Sequence, residues 1–332
     1  PSIEHLGERP FSFYPPIIAV DHNEWMFRRS PGAEMLSLNR SLNRGWRSPR
    51  RSGCGGDVVA IAPGEEAKSV AHAAARCEGL SAGGLDRSSF VVSLGWWVVG
   101  DLAGFVASIY LRGIPYVSIP TTLLAQVDSC IGGKTGVNSG AGKNLIGSFH
   151  HPALVVADTE TLRSLPERIW NEGFAEAIKH GIIRDPELFD SLATVDRDHL
   201  DAFIERNIAI KAAIVAVDER EHNDVRSLLN FGHTIGHAIE FAAGYGNIRH
   251  GEAISLGMIA AAQISVRRAG LSLGEAARIR EALPALHLPV ALPAVFPRGQ
   301  ILPGLPRGTI CDNGPDRAAR SAGIGRSPRD AR

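Results

Sequence analysis

Three histidines fall within eighteen residues of the stretch LLNFGHTIGHAIEFAAGYGNIRHGEA, residues 228–253. His233 and His237 are four apart, so on a helix they stack along one face. His250 follows a glycine-rich break, GYGN, and can open a second helix packed beside the first. A histidine pair one turn apart plus a ligand from elsewhere can hold a divalent metal with an open position. Upstream, FAEAIKHG puts Glu176 and Lys179 three apart in an otherwise apolar helical pattern. A carboxylate facing a core needs a partner, because burying it alone is costly. A metal would be such a partner, and so would the lysine. Read residue by residue, histidines with ordinary core hydrogen bonds remain the alternative.

A second constellation lies in PTTLLAQVDSCIGGKTGVNSGAGKNLIGSFHHP, residues 120–152. It spaces Thr121, Thr122, Asp128, Lys134, Asn138, Lys143 and Asn144 with glycines. Glycines let backbone amides approach an anion closely, and lysines supply point charge. The spacing is not that of a Walker loop. A structural turn with solvated lysines is the competing reading.

These groups need elements to hold them. YPPIIAV reads as one strand, and 30–56 as a poorly ordered loop without sustained period. From residue 57 the text is regular. DVVAIAP, SFVVSLG, PYVSIPT and ALVVADT read as short strands, alternating with helical EEAKSVAHAAARCEGL and DLAGFVASIYLRG. That alternation indicates a parallel α/β layer. From about Leu165 the strands stop. PERIWNEGFAEAIKHGII, PELFDSLATV, RDHLDAFIERNIAIKAAIVAVD, LLNFGHTIGHAIEFAA and GEAISLGMIAAAQISVRRAG all repeat at helical spacing. The expected organisation is an α/β domain over 1–164, a helical domain over 165–290 and an irregular or disordered tail over 291–332.

The 332 residues carry 35 basic and 35 acidic side chains and 44% apolar residues, enough for a sizeable core and no net pull toward polyanions. Two arginine-rich stretches, at 40–51 and in the tail, lack an aromatic stacking platform, which argues against nucleic acid. Cys54, Cys77, Cys130 and Cys311 follow no CxxC spacing, which argues against a disulfide scaffold and a cysteine zinc site and favours a reduced, cytoplasmic setting. No run approaches the roughly 18 apolar residues of a membrane span, and no export signal is expected.

The segments VVGDLAGFVASIYLRGIPYVSIPTTLLAQVDSCIGGKTGVN, GKNLIGSFHHP, PERIWNEGFAEAIKHG, LLNFGHTIGHAIE and HGEAISLGM closely resemble the 3-dehydroquinate synthase family, over about residues 57–290. The resemblance implies a Rossmann-like NAD-binding α/β domain followed by an all-helical metal-binding domain, with the active site in the cleft between them, usually in a homodimer. It implies a carbon–oxygen lyase of the shikimate pathway, acting on a sugar phosphate. The reaction converts 3-deoxy-D-arabino-heptulosonate 7-phosphate to 3-dehydroquinate and phosphate, with NAD returned unchanged. By family pattern, Glu176, His233 and His250 would hold zinc or cobalt. His237 matches a histidine that contacts the substrate phosphate and assists proton transfer. Substrate positions fall on Asp128, Lys134, Lys143, Asn144, Lys179, Lys211, Arg226 and Asn230. Arg112 matches an arginine reaching the neighbouring subunit's phosphate. Cofactor contacts fall on Glu65, Lys68, Gly95, Asp101, Thr121 and Thr122, extended by Asp128, Lys134, Lys143, Ser164 and Leu165.

Three departures stand out. The family's glycine turn becomes GWWVVGD, so Trp96 and Trp97 fill space that a pyrophosphate would need. Weakened NAD binding is expected unless both rings swing outward. The tail offers arginines where the family carries paired lysines. Residues 20–56 lack the expected βαβ pattern, and EREHNDVRSLLN is one residue longer than usual. Two rival readings follow: a metal- and NAD-dependent alcohol or glycerol dehydrogenase, and a catalytically impaired, metal-holding paralogue.

Overall fold

The computed structural model describes residues 16–21, 58–140, 142–244, 246–305 and 323–325. The expected loop over 30–56, the departure from βαβ patterning at 20–56 and most of the tail lie outside these residues. Five parallel strands form one sheet: β1 (Pro16–Asp21), β2 (Val58–Ile61), β3 (Phe90–Gly95), β4 (Tyr116–Pro120) and β7 (Leu154–Val155), in the order β2-β1-β3-β4-β7. Succession runs one way from β1 to β2 and the other way from β3 to β4. The strand order therefore reverses between β1 and β3, and in such sheets ligands bind outside the carboxyl ends at that point.

Helices α1 (Val70–Ala82) and α2 (Trp97–Ile109) connect the strands. α2 starts four residues before the apolar text that announces it and takes Trp97 as its first residue. Its Val98, Val99, Leu102, Phe105 and Val106 pack with Ile61, Val91, Ile114 and Val137 into the core of the α/β half. The polar, glycine-spaced stretch at 134–149 forms an antiparallel hairpin, β5 (Lys134–Ser139) and β6 (Gly142–Phe149), lying beside α2.

The remainder of the described chain is helical: α3 (Glu167–Arg184), α4 (Pro186–Ser191), α5 (Asp201–Val217), α6 (His233–Ala243), α7 (His250–Arg268) and α8 (Leu273–Ala285). α3 is buried nearly all round and forms the axis of this half, with Phe174, Ile178 and Ile182 among Phe203, Ile214, Phe231, Ile254 and Met258. A helix so buried must partner the charges it carries. Leu123, Val127 and Leu162 belong to this cluster too, so the chain enters the helical core before residue 165. Two close approaches set the helix spacing. A Cβ on Gly257 would lie 2.0 Å from the carbonyl oxygen of Gly232, and one on Gly251 would lie 2.2 Å from that of Glu172. Only hydrogen at these positions lets α7 press against both α6 and α3.

Candidate active site

Each of the three chemistry-bearing histidines sits at a helix start or one turn beyond it. His233 opens α6 after Gly232, whose φ of 81° turns the chain. His250 opens α7. That start is pinned by Glu252, which accepts the Arg249 backbone N–H at 3.0 Å and a two-pronged bond from Arg168 at 2.6 and 2.8 Å. Glu176, fully buried on α3, meets both. Its Oε1 lies 3.3 Å from His233 Nε2 and 3.2 Å from His250 Nε2. The ligand-capable atoms of these three residues lie within 4.8 Å of one another. Lys179 pairs with the other carboxylate oxygen of Glu176. Burial drives the Glu176 carboxyl up, but Lys179 and His233 outweigh it and hold the group well below its ordinary range.

His237 stands one turn above His233, with ring centroids 5.4 Å apart, and is largely exposed at the cleft edge. The cleft has a volume of about 540 Å³ and is lined by Asp128, Lys134, Asn144, Lys179, Lys211, Arg226, Asn230 and all three histidines. Asp128 reaches it from a π-helical turn, Ala125–Ser129, where the Cys130 N–H bonds back to the Ala125 carbonyl at 3.1 Å. Lys211 Nζ lies 2.9 Å from Asp128 Oδ2, and Lys179 Nζ 3.4 Å from Oδ1. Burial pushes Asp128 up, yet the two ammonium groups win and keep it well below the usual carboxylate range. Arg226 is buried, donates to the Gly132 carbonyl at 3.0 Å and is held by a loop that folds over Asp218. The Asp218 carboxylate accepts the backbone N–H groups of His222, Asn223 and Arg226.

The other expected positions divide between the carboxyl ends of the strands and the far side. Glu65 follows β2, Gly95 ends β3, Asp101 lies on α2, and Thr121 and Thr122 follow β4. Lys68 Nζ is buried on Asp101 Oδ2 at 2.6 Å and lies 3.9 Å from Glu65. Thr122 Oγ1 caps the Ala125 N–H, whereas the buried Thr121 hydroxyl has no hydrogen-bond partner. Lys143 lies between Glu65 (3.9 Å) and Glu240 (3.2 Å). Ser164 is exposed, and Leu165 packs against the helical core, so neither joins the cleft lining. Arg112 sits in the turn before β4, at the opposite end of the sheet, with φ of 70°.

Trp97 turns inward. Its Nε1 donates to Glu65 Oε1 at 3.0 Å, and its ring meets that of His250 edge-on at 5.7 Å. The indole therefore bridges the strand ends and the histidine cluster. The residual space beside Gly95, Trp96, Trp97 and Ser118 is about 20 Å³, room for little more than one water.

Sequence reasoning passed over three polar side chains. Glu240 lies three residues beyond His237 on the same helix face and touches His250. Its spacing was a usable signal. Glu221 pairs with Lys134 and lines the cleft from a position with φ of 59°, for which the sequence gives no sign. His180, fully buried, takes Asn207 at 2.9 Å and points its other nitrogen toward Asp128 at 3.6 Å.

Comparison with known proteins adds the relationship. The family model for the 3-dehydroquinate synthase N-terminal region matches residues 58–172, and that for the C-terminal region matches 173–302. The 3-dehydroquinate synthase of Geobacter metallireducens is 50% identical over 242 residues, spanning 71% of this chain and 67% of that protein. Among solved structures, 2-deoxy-scyllo-inosose synthase complexed with carbaglucose-6-phosphate, NAD+ and Co2+ superposes with a TM-score of 0.79 at 26% identity, covering 96% of this chain and 86% of that one. A 2-epi-5-epi-valiolone synthase from Streptomyces hygroscopicus with NAD+ and Zn2+ bound gives 0.79 at 28% identity, over 95% and 86%. By two matched halves and half-identical residues across most of its length, this chain belongs to the 3-dehydroquinate synthase family.

Proposed function

We propose that this chain converts 3-deoxy-D-arabino-heptulosonate 7-phosphate to 3-dehydroquinate and inorganic phosphate, with NAD and one zinc or cobalt ion as resident cofactors. One observation carries the reading. A carboxylate and two imidazoles converge at a cleft whose walls bear Lys134, Lys179, Lys211 and Arg226, directly outside the carboxyl ends of a parallel sheet. The donor set suits a borderline-soft divalent ion with an open position. The buried, unpartnered Thr121 hydroxyl at the end of β4 suits a polar ligand lying along the strand ends, provided that Trp97 yields. Residues 1–164 then form the dinucleotide half, β1 among its strands, and 165–290 the metal half.

When bound, the metal would polarise substrate hydroxyls, and the dinucleotide would take up and return one hydride. The chain's own groups do the rest. Lys134 and Arg226 gather the anionic phosphate and neutralise it as it departs. Lys179 and Lys211 hold Asp128 ionised, which fixes an acceptor for substrate hydroxyls. His237, exposed toward the cleft, receives or returns a proton at Nε2. A homodimer working in the cytoplasm fits this reading: Arg112 lies at the amino end of the sheet, opposite the strand ends, and Cys77 and Cys130 are unbridged. Among the described residues no helix is long and apolar enough to cross a membrane.

The test is phosphate release from the heptulosonate phosphate, with and without a chelator, beside an E176Q variant. Release that stops with chelator and in E176Q, with no net NADH formed, is the expected result. Net NADH from a simple alcohol would instead favour the dehydrogenase reading. The inward indole of Trp97 favours a second reading, a folded metal-binding protein with impaired turnover. Metal uptake without phosphate release at any NAD concentration would bear that out.

A further inference from the structure

Glu240 lies outside the proposed ligand set, yet its two oxygens connect that set to the other half of the molecule. It is buried on α6. Oε2 lies 3.4 Å from His250 Nδ1, and Oε1 lies 3.2 Å from Lys143 Nζ on β6. The other nitrogen of His250, Nε2, faces Glu176 at 3.2 Å. A neutral imidazole has one donor and one acceptor nitrogen, and a carboxylate can only accept. Without an ion both nitrogens of His250 face carboxylates and both can carry hydrogen; an ion held beside Glu176 and His233 would take the Nε2 lone pair, and the one remaining hydrogen would sit on Nδ1, where Glu240 accepts it. His233 is arranged in the same sense by a different group: its Nδ1 lies 3.3 Å from the Phe231 carbonyl oxygen. Both imidazoles thus have an acceptor at Nδ1 and aim Nε2 at the same carboxylate. Trp97 also packs on the His250 ring, but an edge contact does not select a tautomer.

We infer that Glu240 is a positioning residue. It holds His250 in the Nδ1–H form that presents Nε2 to the metal. The inference rests on the metal reading given above. Glu240 acting as a ligand is the competing geometry, since His237, Glu240 and His250 also offer donors within 4.8 Å of one another. Filled beside the first set, it would require both nitrogens of His250 to bind metal at once, and Lys143 already engages one Glu240 oxygen.

The experiment uses the full chain stripped of metal and titrated with Zn2+ by calorimetry, with 15N NMR of labelled histidines in the loaded protein. Wild type is expected to take up one equivalent with His250 protonated at Nδ1, and E176Q to take up none. E240Q, with an unchanged melting profile, should bind about 10–100-fold more weakly and lose the single Nδ1–H signature. E240D, which withdraws the carboxylate by one methylene, should fall between them, and it carries the test should E240Q not fold. K143M should leave zinc affinity within about twofold, well inside the E240Q loss. Zinc affinity in E240Q and E240D equal to wild type, with Nδ1 still protonated, overturns the inference. So does K143M matching E240Q, or a second equivalent of zinc that E240Q alone removes. A wild-type chain that takes up no zinc overturns the metal reading itself, and this inference with it.

Discussion

Trp97 weighs heavily on this site, because it touches both the strand ends and the histidine cluster. Its hydrogen bond to Glu65 is charge-assisted, and a bond of that kind contributes about 1.5–3 kcal/mol. A dinucleotide seated at the carboxyl ends of β1 and β3 has to break it. Truncation to glycine at this first helical position removes the obstacle at little cost to α2, so W97G should bind NAD about 10–100-fold more tightly than wild type by calorimetry. Equal affinities would mean that the indole leaves the crevice freely, and that the substitution of glycine by tryptophan in this turn has no effect on the cofactor. The inward ring was foreseeable in part. The text GWWVVGD announced bulk at the turn, but which way the rings point depends on Glu65, thirty-two residues earlier, and on His250, which no local pattern links to them.

At the scale of elements, Glu176, His233 and His250 converge because three helix segments come within backbone contact. Placing a methyl on Gly257 drives it into the Gly232 carbonyl, 2.0 Å away, and the neighbour is backbone that cannot rotate aside. Overpacking of this kind costs about 1–3 kcal/mol or more, and here it separates His233 from His250. G257A is expected to stay folded at reduced Tm and to lose most of its zinc affinity. A Tm loss with normal zinc uptake would show that the helices slide without opening the triad.

The loop over 218–226 is a second such element. Its carboxylate anchor is held below the ordinary aspartate value by the Arg226 N–H first, then by the amides of Asn223 and His222, with burial opposing. A carboxyl depressed by folding stabilises the loop above its unfolded value of about 3.9 and ceases to do so as pH falls through its folded value. Amide protection at His222, Asn223 and Arg226, corrected for intrinsic exchange, should therefore vanish only at strongly acid pH in wild type but already at neutrality in D218A. That variant should also raise KM for the phosphate substrate roughly tenfold, since Arg226 is no longer placed. Unchanged protection at neutral pH in D218A would remove Asp218 from this role.

Elements with a strong period were legible: β3, α2, α3, α5 and α7 all follow apolar spacing. The β5–β6 hairpin was not, because its strands KTGVNS and GKNLIGSF mix polar groups with glycine and β6 stays largely exposed, so neither shows an apolar alternation. Polar density in such a ribbon reads as a binding loop. The histidine stripe was legible as far as His237. Extending it by one more helical neighbour would have reached Glu240.

For the whole molecule, the sheet's polarity sorts the expected site residues into two groups. Glu65, Gly95, Thr121 and Thr122 lie at the carboxyl ends, while Arg112 lies at the amino end, in a turn where Leu111 and Arg112 both hold positive φ. An arginine kept in that conformation on the far side cannot serve its own cleft. On β6 and β7, Leu145, Phe149 and Leu154 are exposed, the first two along the cleft wall. If Arg112 completes the cleft of a neighbouring subunit, two separately inactive variants should rescue one another. R112A retains its own metal ligands, and E176Q retains its arginine. Refolded together in equal amounts, half of the dimers are mixed, and each mixed dimer holds one site with both groups intact. Phosphate release should then recover to about a quarter of the wild-type rate, from near zero for either variant alone. Activity that stays at the level of the separate variants, in a mixture shown to exchange subunits, would place Arg112 outside the reaction altogether.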